Sequence, residues 1–212
     1  MTGRDELASL VGSAEEQLRA THAAREKALP LCRRVIQHSA SSIRSVHRLE
    51  PEQAAHFADA AEGALRSAQE ALSAFPAGAH AGFLLDAEKE YAEARLTAAF
   101  VGQTPVPSAA DLGVSGPAWL NGLAEAASEL RRHLLDRLRA GELERGDELL
   151  GLMDDAYDVL VGIDFPDAVT GGLRRTVDAL RAVLERTRSD VTTTALQTRL
   201  QRALEADPGS SG

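Results

Sequence analysis

Apolar residues recur at three- and four-residue intervals along almost the whole chain, the period of helices with one buried face. Breakers cut this pattern into pieces. The first helix runs over about 5–47, with Pro30 inside it as a kink or a split. Pro51 suits the first turn of a second helix over about 51–74, closed by Phe75-Pro76-Ala77-Gly78. A third helix covers about 80–101. The stretch from Gly102 to Pro117 carries three prolines and three glycines and reads as a loop with one short turn near 108–112. A fourth helix spans about 118–139 and ends at Ala140-Gly141. A fifth spans about 142–162, and Asp164-Phe165-Pro166-Asp167 is a turn. The last helical stretch is about 168–205, with a candidate break at Ser189-Asp190, two residue types that favour caps. Long helices joined by short loops predict an antiparallel bundle. We expect one all-helical domain over 1–206 and a disordered tail over 207–212.

Composition agrees. The 212 residues include 38 Ala and 29 Leu but only 15 Val plus Ile, which excludes a sandwich or barrel. A single cysteine, Cys32, excludes an internal disulfide and reads as a small core residue. There is no run of 18 apolar residues, and the start MTGRDELASL is polar, so a cytoplasmic protein away from membranes is expected.

The net charge of −9 argues against a general DNA-coating protein. That average conceals a polarity. From Arg19 to Arg48 there are seven basic residues and one acid; from Asp136 to Asp167 there are ten acids and three arginines. The basic run, with Arg33, Arg34, Arg44 and Arg48, can meet nucleic-acid phosphates or pair with the acidic segment of its own or another subunit. Asp154-Asp155-Ala156-Tyr157-Asp158 reads as a solvated acidic face.

The third helix carries two polar stripes rather than one. Glu88 and Arg95 share one side; Asp86, Glu90, Glu93 and Thr97 share the opposite side, with apolar positions between. One stripe must turn inward. If it is the carboxylates, they repel unless a cation joins them. If it is the other, Glu88 and Arg95 touch a neighbour and the carboxylates meet water. On the fourth helix Glu125 and Glu129 project together, away from the apolar face of Trp119, Leu123, Ala127, Leu130, Leu134 and Leu138, as charges that meet solvent do. Two such pairs on two helices are the raw material of a carboxylate metal site inside a bundle. None of the six histidines stands at Glu-x-x-His spacing to these glutamates, which favours Mg²⁺ or Mn²⁺ over iron. There is no phosphate-binding glycine loop and no local Ser-His-Asp signature.

Several segments together resemble the translin family. Lys27-Ala-Leu-Pro-Leu-Cys-Arg-Arg-Val-Ile, running on to Ser-Ile-Arg-Ser-Val-His47-Arg48, is similar to its first block, a long basic helix ending in His-Arg. Glu90-Tyr91-Ala92-Glu93 resembles the Glu-Tyr-x-Glu of the translin-associated factor X branch. The segment from Trp119 through Gly122 and Glu125 to Glu129 resembles that branch's Tyr-Leu-x-Gly block with its two acids four residues apart. Arg139-Ala-Gly141-Glu142 and the later Tyr157-Asp158 follow in the same order. The resemblance implies a bundle of about seven helices that assembles into a closed, often octameric, homo-oligomer and binds single-stranded RNA or DNA. It implies a Mg²⁺-dependent endoribonuclease whose four carboxylates are Glu90, Glu93, Glu125 and Glu129, and a nucleic-acid surface of Arg33, Arg34, Arg44, His47 and Arg48. The family has Asp where Glu125 stands and Tyr where Trp119 stands. Two other functions stay open: a non-catalytic translin-type scaffold for single-stranded nucleic acid, and a helical Mg²⁺ nucleotide pyrophosphatase. Against the latter, Glu15-Glu16 lacks the further acid that class requires, and Lys89 stands before Glu90.

Overall fold

The computed structural model describes residues 3–75 and 82–206. Most of the breaker stretch after Phe75 and the tail over 207–212 lie outside these described residues. Helices account for nearly all the rest: α1 (Arg4–His47), α2 (Pro51–Leu72), α3 (Gly82–Gly102), α4 (Ala109–Leu112), α5 (Gly116–Arg139), α6 (Leu143–Val161), α7 (Asp167–Thr170) and α8 (Leu173–Ala206).

Pro30 neither ends nor divides α1. A proline inside a helix withholds the N–H that would meet the carbonyl four residues back, here that of Glu26. Both residues are exposed, so water can take that carbonyl. The short α4 is set by a reciprocal cap in which Asp111 N–H donates to Ser108 Oγ and Ser108 N–H donates to Asp111 Oδ2. The last helical stretch differs from expectation in two ways. It is interrupted at Gly171 and Gly172, whose φ values of +64° and +86° favour glycine and separate α7 from α8. It is not interrupted at Ser189-Asp190, where Asp190 instead accepts from Arg131 on α5 at 2.7 Å.

Helices α3 and α5 form the middle of the bundle. α1 packs against α2 and α3, α3 against α5, and α5 against α6 and α8, which also touch each other. One hydrophobic cluster runs through these helices from Ala24 to Val191. Among the described residues, no ion pair joins the basic run on α1 to the acidic segment of the same chain. The acids of α6 pair locally or with α8, as in Arg145–Glu148 and Arg188–Asp154. The start of α1 and the end of α8 extend past the core: Leu7, Leu10, Val11 and Leu18 on α1, and Leu196, Leu200 and Leu204 on α8, are exposed. Among the described residues, no helix is long and apolar enough to cross a membrane.

Candidate metal and nucleic-acid site

The seam between α3 and α5 depends on a residue with no side chain. A Cβ on Gly122 would lie 2.8 Å from Ala92 Cβ and 3.0 Å from both Glu93 N and Lys89 O. The first contact is shorter than real Cβ atoms show and the other two are at the tight limit, so glycine is what lets the two helices approach this closely beside Glu93. Their register is tied by Glu88. It is buried, accepts from Ser115 N–H at 3.0 Å and Ser115 Oγ at 2.6 Å at the start of α5, and accepts from Gln69 of α2 at 2.9 Å. Arg95, on the same stripe, points toward Tyr91 and Glu62. Of the two stripes on α3, neither simply faces water: Glu88 braces α5, while the carboxylate stripe runs inward from exposed Asp86 to buried Glu93 and Thr97.

Across this seam Glu90 and Glu93 of α3 meet Glu125 of α5. Each offers a carboxylate oxygen, and the three oxygens lie within 4.8 Å of one another. Glu93 is only 9% exposed. Burial, followed by the charges of Glu125, Glu90 and Glu129, pushes its carboxyl up to about 9. Burial also raises Glu90, against the lowering charge of Lys89. Lys89 donates to Glu125 Oε1 at 2.8 Å and stands 3.4 Å from Glu90 Oε1. Burial pulls its ammonium down, but the hydrogen bond and charge of Glu125 outweigh this and hold it above its ordinary value.

Glu129, the fourth expected carboxylate, is turned to a different partner. Its Oε2 is 2.7 Å from Nε2 of His47, whose side chain is 2% exposed. That hydrogen bond lowers the Glu129 pKa despite partial burial. His47 thus lies in the protein interior against a carboxylate, not on the outer surface of α1. Arg33, Arg34, Arg44 and Arg48 are exposed, and none forms an ion pair among the described residues. Arg44 and Arg48 stand three residues before and one residue after His47 in sequence; Arg33 lies 14 residues earlier, about 21 Å along the helix axis. A groove of about 970 Å³ between α5 and α8 runs past Glu129 and is lined by Arg131, Arg132 and Arg139. Arg131 is held by Thr187 and Asp190 and Arg139 lies near Asp136, while Arg132 forms no ion pair among the described residues. Periodicity gave no reason to single out Arg132, because a cation on an exposed helix face is ordinary.

The donor set suits a hard divalent cation. It consists of carboxylate oxygens alone, drawn from two braced helices, with one member shielded from water. Cys32, by contrast, is a core residue whose thiol burial pushes up to about 11.

No family model matches the chain. It is 27% identical over 184 residues to an uncharacterized protein of Methanocaldococcus jannaschii, across 85% of this chain and 81% of that protein. Among solved structures, AfC3PO alone and AfC3PO in complex with duplex RNA each superpose with a TM-score of 0.80 at 30% identity, covering 88% of this chain and 97% of theirs. The apo-NeC3PO structure superposes with a TM-score of 0.76 at 19% identity, over 87% of this chain and 96% of its own, which speaks to the fold alone. With 30% identity along nearly the full AfC3PO chain on the same helical bundle, this chain belongs to the translin family, in its archaeal C3PO-like form.

Proposed function

We propose that the protein is a divalent-cation-dependent endoribonuclease acting on single-stranded RNA, and on single-stranded DNA where it is presented in the same way. The observation that carries this reading is the convergence of Glu90, Glu93 and Glu125 from two helices within 4.8 Å. These three would hold Mg²⁺ or Mn²⁺, with Glu129, kept ionised by His47, as a fourth oxygen donor beside them. A cation held there supplies a Lewis acid that lowers the pKa of a bound water and offsets charge on the scissile phosphate. Gly122 and Glu88 fix the spacing of the two helices, so the carboxylates meet the cation already arranged. Arg44 and Arg48, close to His47, and Arg132 beside Glu129 supply exposed cations for neighbouring phosphates. Arg33 and Arg34 extend that surface along α1.

The AfC3PO relative was solved with duplex RNA, which supports an RNA ligand for this bundle. We further propose a homo-oligomer, supported by the exposed leucines on the overhanging ends of α1 and α8. The test is incubation of the purified protein with end-labelled single-stranded and duplex RNA, with Mg²⁺ and with EDTA. Cleavage inside the single strand that EDTA abolishes is expected. Binding of RNA without any cleavage in Mg²⁺ or Mn²⁺ would leave the scaffold reading in its place.

A further inference from the structure

The carboxylate seam contains its own cation. We propose that Lys89 is a built-in occupant of the site, and that a divalent cation binds by displacing its ammonium from Glu125 and Glu90. This rests on the metal reading above and adds to it a step of exchange.

Lys89 and Glu90 are adjacent on α3, and adjacent helical residues diverge by about 100°. The ammonium nevertheless lies 2.8 Å from Glu125 Oε1 and 3.4 Å from Glu90 Oε1. The stem must therefore curl over the seam. What draws it there is the pair of carboxylates it reaches, Glu125 and Glu90. The anchoring is not rigid, since a quarter of the side chain is exposed and its four-carbon stem is flexible. An oxygen 2.8 Å from an ammonium cannot also bind a divalent cation at about 2.1 Å without bringing the two cations into close repulsion. Entry of the cation is thus an exchange in which the divalent ion takes the carboxylate oxygens that the ammonium leaves. Lysine keeps the empty site tolerable and sets the cation concentration at which it fills. Once released, the ammonium swings toward solvent at the mouth of the seam.

The chain has only two lysines, Lys27 and Lys89, which makes the exchange directly observable. The full-length protein is treated briefly with an amine-reactive reagent, with and without saturating Mn²⁺, and labelling at each lysine is read by mass spectrometry. Lys27 is exposed and serves as the internal control. Labelling of Lys89 is expected to rise several-fold with Mn²⁺ while Lys27 stays constant. In parallel, calorimetric titration of Lys89→Met with Mn²⁺ should show binding about tenfold tighter than wild type, and the variant should melt at a lower temperature without metal. Lys89→Arg, which keeps the charge, should bind Mn²⁺ no more tightly than wild type. Mn²⁺ binding that leaves Lys89 labelling unchanged or reduced overturns the exchange while leaving the metal site standing. An absence of Mn²⁺ binding in wild type and in Lys89→Met overturns the metal reading and the exchange with it.

Discussion

Two glutamates on opposite sides of one seam are driven in opposite directions. Glu93, on α3, is buried among other carboxyl groups, and its pKa rises to about 9. Glu129, on α5, is also withdrawn from water, yet its pKa falls because His47 of α1 holds it. Burial raises the pKa of a carboxyl group, as at Glu93, unless a hydrogen-bonding partner outweighs it, as His47 does at Glu129. On the α1 side His47 already holds Glu129, whereas on the α3 side Lys89 is the one cation paired with Glu90 and Glu125 among the described residues. That asymmetry is the reason we propose cation binding at Glu90, Glu93 and Glu125.

The largest expected effect comes from removing charge on the α3 side. Glu93→Gln should cut cation-dependent RNA cleavage by orders of magnitude while leaving the metal-free protein as stable as wild type or more so. A variant that cleaves at the wild-type rate breaks the comparison, and one that simply unfolds makes Glu93 structural. The same substitution has a pH signature. The folded pKa of Glu93 lies above its unfolded value, so the folded state binds the extra proton and metal-free stability should fall as pH rises from about 5 toward 9. Thermal melts across that range, in EDTA, should show the decline in wild type and a flatter profile in Glu93→Gln.

Next is the packing on which the seam depends. Gly122→Ala forces a Cβ against Ala92 and the α3 backbone, with an expected loss of about 1–3 kcal/mol in chemical denaturation and weaker Mn²⁺ binding. Stability and Mn²⁺ affinity equal to wild type would mean that the helices can separate without cost. On the α1 side, His47→Gln should cost about 1 kcal/mol at neutral pH, allowing for the partial exposure of Glu129. Because the folded pKa of Glu129 is lowered, its contribution is present above its unfolded pKa and disappears as pH falls through the folded one. The stability difference between wild type and His47→Gln should therefore shrink below about pH 4. A difference that persists unchanged at pH 3 would separate His47 from Glu129.

The smallest effect on the seam itself is expected from its most distant basic residues. Arg33→Glu with Arg34→Glu should weaken RNA binding and flatten its salt dependence by roughly one unit of log slope per lost phosphate contact. Melting temperature and Mn²⁺ affinity should not move. Unchanged RNA affinity would make that stretch of α1 a surface for another subunit.

Much of this arrangement can be read in the sequence. The two stripes on α3 and the paired acids on α5 follow from a 100° wheel, and the Gly122 block carried the family likeness. A wheel gives direction but not depth, which is why it offered Glu88 and Glu93 as alternatives when both are buried for different reasons. His47 looked like part of a basic surface because a helix wheel does not say which neighbour lies opposite, and its neighbour is Glu129 from 82 residues away. The helix boundaries missed at Gly171-Gly172 and wrongly expected at Ser189-Asp190 have the same origin. Two glycines leave the left-handed region open, and their positive φ shows that they use it. Asp190 has a cap-forming side chain, but Arg131 of α5 engages it. Lys89 stood between two acids and signified only a departure from another enzyme class until α5 placed Glu125 beside it.

The most direct test of the central claim is a crystal of the full chain grown with Mn²⁺, with the ion located by its anomalous scattering. The account predicts a peak in the α3–α5 seam, about 2.1 Å from oxygens of Glu90, Glu93 and Glu125, with Lys89 turned away. An ion bound elsewhere, or a seam in which Lys89 still holds Glu125 at saturating Mn²⁺, would contradict it.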